Sequence, residues 1–224
     1  MISRLLAKLL LALVARIHVL HRANSARPGA YILAANHISH FDPPVLGVAA
    51  RRKIDWMAMA ELFQSKIFAH WARAIDTFPT DRERVDRASV KTALDRLKRG
   101  HVVGIFPEGG IRDGERSVLE GAPLDAGVVT LAHLARVPIV PCVVLGTDRF
   151  YNSKSWLPFR RTPVWIAFGE PVVGRVDLLK SESRDLVERE LAAQFRRLYA
   201  ELRQHFALTD DDIPQPPKRR MESR

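Results

Sequence analysis

The sequence predicts an α/β fold: a largely parallel central sheet flanked by helices, preceded by an N-terminal amphipathic helix at a membrane interface. Two observations carry the sheet. Apolar runs of strand length, YILAAN (31–36), KIDWMAM (53–59), the apolar half of HVVGIFPEGG (101–110), VPIVPCVVLG (137–146) and PVWIAF (163–168), alternate with segments whose apolar residues recur at helical spacing. Helices between strands return the chain to the same end of a sheet, which makes the strands parallel and covers the faces. A third observation bounds the size. At 224 residues, with 47% hydrophobic and 27% charged, the chain has the composition of one globular domain with a core of its own.

Residues 1–22 place Ile2, Leu5, Leu6, Leu9, Leu13, Ile17 and Leu20 at helical spacing, with Arg4, Lys8 and Arg22 elsewhere on the wheel. The uninterrupted apolar run, 9–15, lies between Lys8 and Arg16 and is too short to cross about 30 Å of hydrocarbon. No small-residue cleavage site follows closely. Two readings stay open here, a helix lying in a membrane interface with its cations near anionic head groups, and a helix packing on the core. The domain proper is assigned to 23–206. After the strands at 31 and 53, a helix is expected through AELFQSKIFAHWAR (60–73) and a strand-like AIDTFP (74–79). A charged helix over 81–100 follows, with Val85, Val90, Ala93, Leu94 and Leu97 as its stripe and Gly100 as its stop. Further helices are expected at LDAGVVTLAHLAR (124–136) and from about Arg184 to Phe206, where Val187, Leu191, Phe195, Leu198, Leu202 and Phe206 form the core face. The segment 207–224 is polar and Pro-containing and is predicted to be a disordered tail.

Thirty-five Lys and Arg against 25 Asp and Glu leave a formal charge of +10, which favours anionic partners: nucleic acid, a membrane face or a phosphorylated substrate. The first carboxylate in the chain is Asp42. The single cysteine, Cys142, sits inside an apolar run and reads as a buried strand thiol; with no second cysteine there is no disulfide framework.

Two stretches have the composition of a site. AANHISHFDPP (34–44) gathers Asn36, His37, Ser39, His40 and Asp42, and Pro43 and Pro44 bar a clean helix through it, so it falls on the loop leaving the first strand. An imidazole can accept a hydroxyl proton near neutral pH, and a carboxylate on its other nitrogen fixes the tautomer and stabilises the imidazolium. A bend would fold Asp42 back onto His37; a surface histidine with a helix-capping aspartate explains the same residues. Ser39 lacks the flanking glycines of a nucleophile elbow. His37, His40 and Asp42 have donor types suited to zinc or iron, but no further cluster supplies a fourth ligand, so neither metal nor cofactor is assigned. In the second stretch, FPEGGIRDGER (106–116), Gly109, Gly110 and Gly114 let backbone amides approach an anion, and Arg112 and Arg116 add charged donors. A solvated turn with exposed arginines is the plainer reading. The spacing is not that of a nucleotide P-loop. Both stretches follow strands, at the end of an α/β sheet where sites form.

NHISHFD, FPTDR around Arg82, FPEGG and VPIVPC, in that order over residues 30–170, together resemble the glycerolipid acyltransferases of the lysophosphatidate (1-acylglycerol 3-phosphate) acyltransferase type, with their N-H-x-x-x-x-D, F-P-E-G-[ST] and V-P-[IV]-[IV]-P blocks. The resemblance implies an enzyme that moves a fatty acyl group from acyl-CoA or acyl carrier protein to the free hydroxyl of a lysophospholipid, giving phosphatidic acid. His37 would be the general base and Asp42 its orienting carboxylate. Glu108 and Gly109 would bind the acceptor, Arg82 and Arg112 its phosphate, and Pro138 and Pro141 would line the acyl side. No acyl-enzyme is implied. The family closes its third block with Thr or Ser followed by Arg, whereas Gly110 and Ile111 precede Arg112 here, a departure that bears on the acceptor head group. The implied place is the cytoplasmic face of the membrane, against an anionic surface, as a peripheral or monotopic protein. Alternatives are another lyso-lipid acceptor, lyso-ornithine lipid or lysophosphatidylglycerol, and a non-catalytic basic module for membrane or nucleic acid. The chain lacks a recognisable nucleic-acid motif, and no nucleic-acid partner is assigned.

Overall fold

Residues 9–59, 78–80, 87–158, 160–174 and 179–222 are described by a computed structural model. Among these residues seven strands, β1 (Ala15–Leu20), β2 (Tyr31–Ala35), β3 (Ile54–Met59), β4 (Phe78–Thr80), β5 (Val102–Ile105), β6 (Ile139–Leu145) and β7 (Thr162–Phe168), form one sheet in the order β1-β7-β6-β2-β5-β3-β4. Every pairing is parallel except β6 with β7. The exception follows from the connection. Short 3-10 turns between Thr147 and Trp156, with no crossover helix, bring β7 back alongside β6 in the opposite sense. The sheet is therefore mixed, with β1 and β7 running against the other five.

Besides the helical residues 9–14, the helices among the described residues are α1 (Asp42–Ala49), α2 (Arg87–Lys98), α3 (Gly127–Ala135), α4 (Lys180–His205) and α5 (Pro217–Glu222). Strand residues alternate between two apolar layers, as a period of two requires. Ile32 and Ala34 join α2, α3 and α4 on one face, where Leu191, Phe195 and Leu202 of α4 are wholly buried. Tyr31, Leu33 and Ala35 join α1 on the other. Each fully buried aliphatic or Phe side chain contributes about 1.5–3 kcal/mol by leaving water, before conformational entropy is counted. At Gly104 a Cβ would stand 2.4 Å from the Trp56 ring, so only glycine lets that indole lie flat across β5.

Two predicted boundaries are corrected. Within the predicted 1–22 helix, residues 9–14 are helical, but Ala15–Leu20 is a strand, paired from Ala15↔Thr162 to Leu20↔Ala167. The free edge of β7 supplies a full set of hydrogen bonds, and Arg16, Ile17, His18 and Val19 alternate in polarity as an edge strand allows. His18 packs its ring on Phe206, centroids 5.1 Å apart. The segment 207–224, predicted disordered, is docked as far as Glu222. Arg220 is buried, donating from Nε to Asp148 Oδ2 at 2.5 Å and from Nη2 to the carbonyls of Asp211 and Ile213 at 3.1 and 3.0 Å. A partner 72 positions away leaves no local trace in the sequence. The helix expected at 60–73, the first part of AIDTFP and Arg82 lie outside the described residues.

Candidate active site

β2 and β5 end side by side, with Ala34 opposite Ile105, while β6 runs on past Cys142, the partner of Ala35, so the loops that follow β2 and β5 emerge together. Asn36 is wholly buried where β2 stops. Its side-chain amide donates to the Val144 carbonyl at 3.0 Å and accepts from the Val144 amide at 2.8 Å. The side chain thus stands in for main chain against β6, and the backbone can leave the sheet at His37 with no buried polar group orphaned.

The loop then bends, and α1 begins at Asp42 with prolines in its first turn, where their missing N–H groups cost nothing. The bend carries the wholly buried Asp42 carboxylate back to His37: Nδ1 to Oδ2 is 2.8 Å. Oδ2 also accepts from the amides of Ile38 and Ser39 at 2.8 and 2.9 Å, and Oδ1 accepts from the Thr147 hydroxyl. An oxygen receiving two main-chain N–H groups is an acceptor, so His37 carries its proton on Nδ1 and presents a lone pair at Nε2. Nε2 makes no hydrogen bond among the described residues, and the side chain is 13% exposed.

The imidazole plane is fixed from the side as well. Phe106 stacks on it with centroids 4.0 Å apart and planes within 17°, and Trp56 stacks on Phe106 at 4.8 Å and 7°. The main chain of His37 is clasped by the loop after β5: its amide donates to Glu108 Oε2 at 2.5 Å and its carbonyl accepts from the Arg112 amide at 2.8 Å. Glu108 Oε1 accepts from the Ser117 hydroxyl at 2.7 Å and the Val118 amide at 2.9 Å. Burial pushes the Glu108 carboxyl above the usual carboxylate range, opposed by those donors from Ser117, His37 and Val118.

The structure therefore brings His37, Asp42 and Glu108 together and sets Gly109 and Arg112 on the same loop. Gly109 has φ of +65°, the left-handed region, with open space where a Cβ would be. Glu108 Oε2 ties the loop after β5 to the main chain of His37, while Oε1 is held by Ser117 and Val118 of its own loop. Arg112 is half-buried, while the Arg116 side chain is turned onto Asp113. His40 bonds to Tyr151 instead of Asp42, with Nδ1 2.6 Å from the Tyr151 hydroxyl, and burial lowers its pKa, reinforced by His37. Among the described residues no group of three or more His, Cys, Asp or Glu is placed to hold a metal. Pro141 is buried on β6 with its ring toward Gly169. Thr147, Phe106 as a stacking partner, Trp56 and Tyr151 escaped the sequence reading. Only Phe106 lay within a recognised block; Trp56 is brought in by strand register, and Thr147 and Tyr151 by the 3-10 turn that follows β6.

The family model described as Acyltransferase matches residues 16–145. Over 166 residues the chain is 32% identical to the 1-acyl-sn-glycerol-3-phosphate acyltransferase of Bacillus subtilis (strain 168), covering 74% of this chain and 78% of that one. It is 28% identical to the protein of the same name from Streptococcus pneumoniae (strain ATCC BAA-255 / R6), over 78% of this chain and 62% of the relative's length. Among solved structures it is similar to the 1-acyl-sn-glycerophosphate (LPA) acyltransferase PlsC of Thermotoga maritima. The TM-score is 0.62 at 21% identity, over 87% of this chain and 79% of that one, a likeness of fold.

Proposed function

The chain belongs to the acyltransferase family, and on that premise we propose that it transfers a fatty acyl group from a thioester, acyl-CoA or acyl carrier protein, to the free hydroxyl of 1-acylglycerol 3-phosphate. The observation that supports this most directly is the His37–Asp42 pair, 2.8 Å apart with the carboxylate buried and its oxygens held by three further donors. His37 Nε2 takes the acceptor's hydroxyl proton as that oxygen attacks the thioester carbonyl. The tetrahedral intermediate collapses, the carbon–sulfur bond breaks, and the imidazolium returns the proton to the departing thiolate. Asp42 steadies the imidazolium, and the Phe106 face adds an attractive quadrupole. Nothing covalent forms on the protein; catalysis lies in holding one hydroxyl beside one base.

Arg112, and Arg82 from outside the described residues, are the proposed contacts of the acceptor's phosphate, because a dianion leaving water needs charged donors. The proposed location is the cytoplasmic face of a membrane. No described helix is long and apolar enough to cross one. The test supplies purified protein with labelled acyl-CoA and a panel of lyso-lipids. Label is expected in phosphatidic acid, and His37→Ala is expected to lower the rate about 10²–10⁴-fold, the range for loss of a general base. Faster labelling of a lyso-lipid without a phosphomonoester, lyso-ornithine lipid or lysophosphatidylglycerol, would replace the acceptor named here. An unimpaired His37→Ala variant would remove the mechanism.

A further inference from the structure

β1 and β7 run against the other strands, which has a consequence for the surface around the site. Their N-terminal ends, Ala15 and Thr162, are register partners, and the β7 end lies beside the C-terminal end of β6, where Leu145 pairs with Trp165. That is the end of the sheet from which His37 and the loop at 106–112 emerge. Two segments therefore arrive side by side at the active-site end: the helical residues 9–14, just before Ala15, and the turn that precedes Thr162.

Both segments are apolar on their outer side. In the first, Leu11 and Val14 are buried in the core while Leu9, Leu10 and Leu13 are 59%, 51% and 47% exposed, so one face packs and the other is bare. In the second, Leu157 is 53% exposed. Leu157 is held out by a braced turn. The Trp156 indole donates to the Phe150 carbonyl at 2.8 Å, Ser155 Oγ to the Arg149 carbonyl at 2.8 Å, and Thr162 Oγ1 to the Ser155 carbonyl at 3.3 Å. Exposed cations surround the two segments: Arg16, Lys154, Arg160 and Arg161, with no ion pair to any of them among the described residues. Bare leucines ringed by cations that form no ion pair among the described residues match the interfacial zone of an anionic bilayer, where apolar side chains enter the acyl boundary and nearby cations are drawn to the head groups.

We propose that the turn carrying Leu157, with Lys154, Arg160 and Arg161, is a second contact with an anionic membrane, set beside the N-terminal segment by the β1–β7 register. Two contacts fix a tilt that one cannot, and this tilt turns the mouth of the site toward the lipid. The same connection begins at Thr147, which holds the Asp42 carboxylate, so bilayer and base are joined by a short braced length of chain. The inference rests on the lipid-acyltransferase reading only for its purpose; the binding itself is measured without turnover.

The full chain is tested with vesicles of phosphatidylcholine alone and of phosphatidylcholine with phosphatidylglycerol. Cys142 is wholly buried, so Leu157→Cys and Lys98→Cys can each be labelled selectively with an environment-sensitive fluorophore. Lys98 lies at the opposite end of the sheet, ahead of β5. The expected result is a blue shift at 157 on anionic vesicles and none at 98. Leu157→Asp is expected to lower the vesicle partition constant about tenfold or more, as losing the burial of one leucine requires, and to leave transfer to a soluble short-chain acceptor unchanged. Flotation without a shift at 157, equal shifts at both positions, equal binding to both vesicle types or undiminished flotation of Leu157→Asp would each overturn the proposal. Lack of transfer to lysophosphatidate by the native chain would count against the proposed reaction and leave the vesicle result standing.

Discussion

Asp42 and Asp148 are both wholly buried, and they sit at the two ends of one short network, since Thr147 donates to the first and adjoins the second. Asp42 is surrounded by groups that carry no fixed charge, two main-chain amides and a hydroxyl, plus one imidazole that can take a proton. Asp148 faces an arginine that is always charged: Arg220 Nε lies 2.5 Å from Oδ2, the Gln215 amide donates to the same oxygen at 3.1 Å, and Oδ1 has no hydrogen-bond partner among the described residues. Burial raises the Asp148 carboxyl's pKa, with Arg220 pulling it down without prevailing. A carboxylate already neutralised by a guanidinium can fasten a segment but has nothing left for a reaction. One held by neutral donors keeps its charge available to the imidazolium that the proposed reaction forms during turnover.

If that contrast holds, substitution should separate the two by observable. Asp42→Asn is expected to cost the most activity, about 10²–10⁴-fold in turnover, because the amide can no longer hold His37 in the Nδ1–H form; rate measurements with melting curves check it, and near-native turnover would equate the two aspartates. Asp148→Asn should do the reverse. Removing one partner of a buried pair costs about 3–5 kcal/mol when the other stays buried, so the tail should detach, trypsin should cut faster after Lys218, Arg219 and Arg220, and turnover on a soluble acceptor should stay near native. Unchanged proteolysis would mean that Arg220 is not what fastens 207–222.

Two smaller changes probe the support of the base. Thr147→Val leaves Asp42 Oδ1 without its hydroxyl, a loss of about 1–3 kcal/mol for a buried polar group, expected as a tenfold or greater fall in kcat that Thr147→Ser restores. Phe106→Leu removes the ring stacked 4.0 Å from His37. An aromatic pair contributes about 0.5–1.5 kcal/mol beyond its area, so kcat should drop about two- to tenfold with KM unmoved. A change in KM alone would place Phe106 against the substrate instead of the base.

Much of this was legible from residue order. The strands beginning near 31, 53, 102, 139 and 162 announced themselves as apolar runs of the right length, and α4 by its stripe from Val187 to Leu202. The His37–Asp42 contact spans five positions and so could be foreseen from one bend. Residues 15–20 were harder, because Leu, Ile and Val at helical spacing run straight into an alternating segment, and only an open edge of β7 decides between the two. Glu108 shows a related limit: a motif names a residue without saying which way its carboxylate points, and its bonds to His37, Ser117 and Val118 exist only in the fold.

By itself the sequence determined what depends on near neighbours: which segments are apolar enough to be strands, where Pro43 and Pro44 bar a helix from running through the histidine loop, which imidazole has a carboxylate within reach, and the family signature those residues make. Tertiary structure alone decided what depends on chain reversal. The antiparallel return of β7 set the N-terminal segment beside Leu157 and Thr147 behind Asp42, and docking of Arg220 onto Asp148 ordered the tail. Such contacts join residues up to a hundred or more positions apart. Their free energy exists only after the sheet has been laid down, so no window of neighbouring residues can carry their signal.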